Sequence, residues 1–397
     1  MNIKPMLAAL QGITAYKDLL TQPVMECALR LVNRVAFGDG LGGLDAYTDL
    51  FYLLRQSGHA GLGSWLEEAL RWSEGPYPRL AETGLRDLPL EQAARHDITA
   101  LALLASVDCD QWLAQLSRLL DSDYQGVLTG LPRWQSGAPF SFDSLTEAYR
   151  KEGAGQFARY RAFVWDAGTL VPVAHPDCPT SDQLLGYDWQ REEVVKNTRA
   201  LLEGRCVNNV LLYGESGTGK SATVKNLLTL PGMEELRVIE ADKENLGGLP
   251  ALIRGLEGRR QKFIVFIDDL TFDRDDPTYS VLKTILEGGV ERRPDNVAVY
   301  ATSNRRHLVR QTISERAGDE MDRNETIREK TSLADRFGVR ILFQGLDKEA
   351  YLAIVDLLAD RQGVTLPREE LHRQAIAWER FHGAQTPRTA LQFILSL

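Results

Sequence analysis

The eight residues GESGTGKS, Gly214 to Ser221, restrict what this chain can become more than any other stretch of it. Val210 to Tyr213 before them reads as a short buried strand and Ala222 to Leu230 after them as a helix, so the glycines fall in the turn between. Gly214, Gly217 and Gly219 allow backbone N–H groups to face inward around a polyphosphate, where a β-carbon would block either the turn or the ligand. In that setting Lys220 can reach the β- and γ-phosphates, and Ser221 can offer a hydroxyl to Mg²⁺ beside the positive end of the helix. A Gly/Ser-rich turn opening an ordinary helix would explain the glycines. It would not explain four set positions in eight residues, flanked correctly by strand and helix.

The chain has room for a sheet and more. Its 397 residues, 44% hydrophobic and 25% charged, suffice for two or three packed domains and carry no disordered or collagen-like bias. A net charge of −9 and a pI near 5.4 argue against a protein whose main task is gripping nucleic-acid phosphates. Residues 1–180 alone hold 15 Lys and Arg against 21 Asp and Glu, a balance of −6 that disfavours a DNA-binding arm there. The cysteines, Cys27, Cys109, Cys178 and Cys206, have no C-x-x-C spacing, so neither zinc nor a disulfide framework is expected and a reducing cytoplasm fits. The start MNIKPMLAAL is too short an apolar run for a signal peptide. No segment approaches the ~18 apolar residues of a membrane span, so the expected location is cytoplasmic.

From Pro23 to about Leu120 apolar residues recur at helical spacing, as in Leu50, Phe51, Leu53 and Leu54, which predicts a helical bundle. Breaks are expected at Gly38 to Gly43, at Gly58 to Gly63 and at the Pro/Gly-bearing GPYPRLAETGLRDLPLE. Another break, LTGLPRWQSGAP, precedes a helical stretch from Phe142 to about Ala162. Trp65, Trp72, Trp112 and Trp134 permit a ligand cage, but aromatics at helical spacing are more often core. The Pro-rich segment from Val171 leads into a helix from about Trp189 to Leu202 and reads as a hinge between domains. Leu184, Leu185 and Gly186 lie just ahead of the loop-bearing strand, where they either line the base side of a nucleotide or serve ordinary packing.

Downstream, Leu236 to Glu240 reads as a second strand and Leu249 to Leu256 as a helix. Phe263 to Ile267 is an uninterrupted apolar run, the mark of a strand buried on both faces of a parallel sheet, and it ends in Asp268 and Asp269. Asp268 can hold Mg²⁺ through water and Asp269 can orient or deprotonate an attacking water; the plain alternative is two acids capping a strand in solvent. A helix from Thr278 to Glu287 and a fourth strand, Val297 to Thr302, follow. Asn304 sits just past that strand, at the edge where open parallel sheets bind ligands. It can contact a γ-phosphate and a lytic water, although Asn is also an ordinary turn residue. Arg305 to Lys330 reads as an exposed, charged helical insertion, and Val339 to Phe343 as the fifth strand with Arg336 shortly before it. Three helices close the chain, Lys348 to Asp360, Arg368 to Phe381 and Pro387 to Leu397. Thr386 and Pro387 make an N-cap and N1 pair that puts Arg388 in the first turn, where a cation opposes the macrodipole and invites an anion.

GESGTGKS, FIVFIDD, YATSN, SLADRF and PRTALQF, in that order, resemble the Walker A, Walker B, sensor 1, arginine-finger and sensor 2 elements of AAA+ ATPases. The resemblance covers about Pro176 to Leu397. The phrases ATSNRRHL and LADRFG, with DD in place of DE, look most like a bacterial AAA+ family catalogued only as a domain of unknown function. It implies an α/β P-loop NTPase domain over 176–345, with a five-stranded parallel sheet in the order 5-1-4-3-2. It also implies a three-helix lid carrying sensor 2 over 346–397; ahead of both, the helical spacing predicts a mostly helical N-terminal domain over 1–175, a candidate for partner binding. ATP and Mg²⁺ are the implied cofactors, with hydrolysis to ADP and phosphate as the activity. Gly214, Glu215, Ser216, Gly217, Thr218, Gly219, Lys220, Ser221 and Ala222 then contact the nucleotide, together with Leu185 and Gly186. Ser221 and Asp268 hold the metal, and Lys220, Asp269, Asn304, Arg336 and Arg388 act in catalysis. Asp269 is the main departure, being one methylene shorter than the usual Glu.

An arginine just before an edge strand lies away from its own phosphates. As a finger, Arg336 therefore implies action on a neighbour in a homo-oligomeric ring such as a hexamer. Pairing with Asp335 or Asp347 is the alternative. Two tasks fit such an ATPase: remodelling a protein partner held by the N-terminal domain, or nucleotide-switched binding of nucleic acid in the manner of helicase loaders. Arg292, Arg293, Arg305, Arg306 and Arg310 would serve the second, but the overall acidity favours reading them as subunit interface and solvated helix face.

Overall fold

A computed structural model of the protein describes residues 2–271, 277–287, 293–304 and 333–397 and divides the chain into two units, Met1–Arg159 and Tyr160–Leu397. The first unit is helical: α1 Ile3–Gln11, α2 Pro23–Ala36, α3 Gly40–Gln56, α4 Leu62–Arg71, α5 Pro76–Glu82, α6 Leu88–Ala105, α7 Cys109–Leu119, α8 Gln125–Gly130, α9 Phe142–Glu152 and α10 Gln156–Arg159. Apolar stripes close these helices on one core. On α2 the stripe is Val24, Cys27, Ala28, Leu31, Val32 and Val35, all buried at three- and four-residue spacing. Trp65, Trp112 and Trp134 belong to that core, Trp134 against Tyr47 at 4.6 Å between ring centroids. Trp72 lies under the Arg71 guanidinium. Asp97 tolerates full burial because the N–H groups of Thr14, Ala15 and Tyr16 donate to its Oδ2 at 2.7–3.2 Å. The expected break GPYPRLAETGLRDLPLE contains a helix instead. Pro76 takes the first helical position of α5, where its missing N–H has no partner to lose, and Tyr77 is buried behind it.

The second unit is built on a sheet of seven strands, ordered β2-β1-β4-β5-β6-β3-β7. The strands are β1 Ala162–Asp166, β2 Thr169–Val173, β3 Val210–Gly214, β4 Leu236–Ala241, β5 Lys262–Ile267, β6 Val297–Ser303 and β7 Val339–Phe343. β3 to β7 run parallel, with β3 between β6 and β7. Helices α11 Asp188–Leu202, α12 Lys220–Asn226, α13 Leu249–Gly255 and α14 Pro277–Glu287 lie between these strands in the chain. Every residue of β5 from Phe263 to Ile267 is 0% exposed, which is why that strand reads as a continuous apolar run rather than an alternating one. Three further helices, α15 Lys348–Gln362, α16 Arg368–His382 and α17 Pro387–Ile394, pack around Tyr351, Val355, Leu371, Ala375 and Phe393.

The sheet thus has two strands more than the five expected. β1 and β2 form an antiparallel hairpin, and β1 pairs parallel with β4, Phe163 opposite Ile239. Ala167 and Gly168 make the two-residue turn with φ of 45° and 87°, the left-handed pair that suits the twist of the flanking strands. Ala occupies the turn position where Asn or Asp usually signals such a hairpin, and the sequence reading, with a helix ending at about Ala162 and a hinge starting at Val171, leaves the residues between unassigned. The hairpin lies within the second unit, Tyr160–Leu397. Among the described residues no helix is long and apolar enough to cross a membrane, and the four cysteines are free thiols.

Candidate functional site

The loop after β3 owes its glycines to two different constraints. At Gly214, φ is 138° and an added β-carbon would lie 2.0 Å from the carbonyl oxygen of Phe343, while the next N–H, of Glu215, donates to that same oxygen at 3.1 Å. The neighbouring strand β7, not a ligand, is what excludes a side chain there. Gly217 and Gly219 are left-handed, with φ of 81° and 90°. A β-carbon on Gly217 would meet Thr386 Oγ1 at 3.0 Å and Arg388 Cβ at 3.1 Å, whereas Gly219 faces open space and needs glycine for its conformation alone.

A cavity of about 230 Å³ opens beside this loop, lined by Gly217, Gly219, Lys220, Ser221, Ala222, Asp268, Asp269, Thr302, Asn304 and Arg388. That is below the roughly 300–1,000 Å³ of pockets that enclose a whole small molecule, and suits a compact charged group better. Lys220 is 6% exposed and donates to Gly214 O at 3.1 Å, Glu215 O at 2.6 Å and Asn304 Oδ1 at 2.9 Å. All three acceptors are neutral. Burial pushes the ammonium below its usual range and nearby Arg388 adds to that, while Asp268 and Asp269 pull the other way. A buried cation held by neutral oxygens, with a second cation beside it, is a site that an anion would complete.

The acidic half of the cavity is tied together as closely. Ser221 Oγ donates to Asp268 Oδ1 at 2.6 Å, and Asn304 Nδ2 donates to Asp269 Oδ1 at 2.8 Å. Thr302 Oγ1 donates to Asp268 Oδ1 and accepts the N–H of Asp269 at 2.9 Å. Among the described residues no three His, Cys, Asp or Glu side chains form a metal cluster. A serine hydroxyl touching one carboxylate is nonetheless the sparse, hard-oxygen donor set that Mg²⁺ accepts when waters and phosphates complete its shell. The residues therefore fit the implied cation.

The fold brings Lys220, Ser221, Ala222, Asp268, Asp269, Asn304 and Arg388 to this cavity, although they come from four separate segments. Glu215, Ser216 and Thr218 do not line it. Glu215 and Ser216 are exposed, and Thr218 is buried with its hydroxyl on Glu215 O at 2.8 Å. Leu185 packs on the core of α15–α17, and a β-carbon on Gly186 would touch Ile354 at 3.5 Å and Leu346 at 3.6 Å. Arg336 lines a different cavity, of about 320 Å³, with Asn208, Asn209, Arg293 and Gly338 at the opposite ends of β3 and β7. β7 spans five residues, about 17 Å at 3.3 Å per residue, which separates Arg336 from its own phosphate loop. Of the two acids named beside it, Asp335 pairs with Arg340 at 2.7 Å and Asp347 is the N-cap of α15. Of the arginines considered for nucleic acid, Arg292, Arg305, Arg306 and Arg310 lie outside the described residues. Arg293 donates to Asn209 Oδ1 and, at 2.9 Å, to Val207 O.

Thr302 is the site residue that sequence reasoning missed. Its only signal was its place near the end of β6, two residues before Asn304.

Residues 158–397 match the sequence family described as "Protein of unknown function (DUF815)". No match is found among curated proteins. Solved structures of RuvB from Thermotoga maritima are similar: one titled as a Holliday junction branch migration motor at 15% identity and a TM-score of 0.36, and two of its point mutants at 14% identity and TM-scores of 0.37 and 0.36. Each of these alignments covers 54% of this chain and 63% of the other, so this chain spans less than two thirds of those proteins.

Proposed function

This chain belongs to the DUF815 family, and we propose that its C-terminal unit is an AAA+ ATPase domain that binds ATP with Mg²⁺ and hydrolyses it to ADP and phosphate. The observation that carries this reading is the convergence of Lys220, Arg388, Ser221, Asp268, Asp269 and Asn304 on one cavity beside a left-handed glycine loop. In it, the loop N–H groups and Lys220 hold the phosphate tail, and Lys220 exchanges its neutral oxygen partners for phosphate oxygens. Ser221 and Asp268 would hold Mg²⁺, which when bound offsets charge on the phosphate oxygens. Asp269 takes the proton of the attacking water, Asn304 orients that water, and Arg388 neutralises charge developing on the γ-phosphate. Leu185 and Gly186 border the base, and Glu215, Ser216 and Thr218 contribute loop backbone rather than side chains.

In this reading Arg336 acts on a neighbour's nucleotide in a homo-oligomer, and the helical first unit recruits a protein partner that the ATPase remodels. The nucleic-acid alternative gains no support from Arg293, whose guanidinium is held by Asn209 and Val207.

Phosphate release from Mg-ATP by the full chain tests the core of this reading. The wild type is expected to hydrolyse ATP only with Mg²⁺ present, and Asp269→Asn to bind ATP while losing about 100-fold or more of the turnover. A wild type that binds no nucleotide, or an Asp269→Asn variant of full activity, would overturn it.

A further inference from the structure

We propose that Thr302 is a positioning residue that holds both aspartates of the cavity in working register; this rests on the ATPase reading above. Thr302 is 2% exposed near the end of β6. Its hydroxyl donates to Asp268 Oδ1 and accepts the N–H of Asp269 at 2.9 Å, and its carbonyl accepts the N–H of Leu270 at 2.7 Å. One residue of β6 thus grips three consecutive residues after β5. A hydroxyl is the smallest side-chain group that can donate to a carboxylate and accept from an amide at once.

The turn it grips needs such support. Asp269 is exposed and left-handed, with φ of 47°. A non-glycine residue stays in that region only where its surroundings over-determine it. The Asp269 N–H also donates to Asp268 Oδ1 at 3.1 Å, within the turn itself, so Thr302 supplies the reference to a second strand. Asn304, two residues further along, then reaches Asp269 Oδ1 at 2.8 Å. Thr302 sets where the acidic pair sits, and Asn304 sets where the second carboxylate points.

Thr302→Val keeps the β-branched shape and removes the hydroxyl, while Thr302→Ser keeps the hydroxyl and removes a methyl. For Thr302→Val, kcat for ATP is expected to fall about 10–100-fold, the usual cost of losing an outer partner of a metal or catalytic ligand. KM is expected to stay within about threefold, since nucleotide binding rests mainly on the loop and Lys220. Thr302→Ser should recover most of the turnover. Equal kcat in wild type and Thr302→Val, or equal losses in the Val and Ser variants that follow their melting temperatures, would overturn the proposal and leave the ATPase reading standing. A wild type without hydrolysis removes that reading and the proposal with it. A second measurement needs no variant: amide hydrogen exchange in the wild type should find Asp269 protected alongside Leu270. An Asp269 amide that exchanges like a free turn amide overturns the proposal even if Thr302→Val does not fold.

Discussion

At Asp269 the side chain is a methylene shorter than the Glu common to the resembled motif, and the backbone is left-handed with Asn304 Nδ2 already 2.8 Å from its carboxylate. The carboxylate is therefore aimed by its backbone rather than by side-chain length. Asp269→Glu should lower turnover rather than raise it, by about 10–100-fold, because a misplacement of order 1 Å can cost that much. Steady-state kinetics of the two proteins side by side would check it. Lys220→Ala should weaken ATP binding by about 2–4 kcal/mol through loss of a desolvated, charge-assisted contact, as read by nucleotide titration. The same lysine predicts a pH effect. Its folded pKa lies below the ordinary 10.5, so between the two values the unfolded chain binds more protons and stability rises with pH. A bound polyphosphate favours the charged form, so binding takes up a proton and affinity weakens as pH rises toward 10.5. Titrations from about pH 7 to pH 10 should give that slope for the wild type and a flat profile for Lys220→Arg, whose guanidinium stays charged throughout.

Among the elements, the hairpin of β1 and β2 has the most practical consequence. Phe163 and Trp165 of β1 are buried, and the Trp165 indole N–H donates to Asn245 O at 3.3 Å, so β1 closes one side of β4. A fragment that begins at Pro176 lacks this strand and leaves the backbone of β4 as an open edge with apolar surface beside it. A fragment from Tyr160 to Leu397 should stay soluble and bind nucleotide, while one from Pro176 should aggregate or melt markedly lower. Size-exclusion chromatography and thermal denaturation of the two fragments decide between them. If the shorter one is equally stable, the hairpin is an ornament on the sheet.

For the whole molecule, the separation of Arg336 from its own phosphate loop by the length of β7 is what favours action between subunits. Arg336→Ala should bind ATP normally and hydrolyse it about 10³-fold more slowly, in the range of lost arginine fingers. Mixing decides whether the action is in trans. Arg336→Ala subunits keep a pocket without a finger and Lys220→Ala subunits keep a finger without a pocket, so together they should recover activity that neither has alone. A mixture that co-assembles and stays inactive would count against action in trans, as would wild-type turnover unchanged on dilution to nanomolar protein.

Much of this protein was legible from short-range patterns. The glycine loop, the apolar run ending in Asp268 and Asp269, and the Thr386–Pro387 cap ahead of Arg388 are local signals, since backbone freedom, strand burial and helix capping each depend on a few neighbouring residues. Tertiary structure decided the rest, where the partners are distant in the chain. Gly214 answers to Phe343, Trp165 to Asn245, and Asp269 to Thr302, which lies 33 residues away. Nothing in the composition around Thr302 sets it apart from any other threonine in a strand. Its place at the site arises only when β5 and β6 become neighbours and its hydroxyl meets the Asp268 carboxylate and the Asp269 amide, from both of which the chain order separates it.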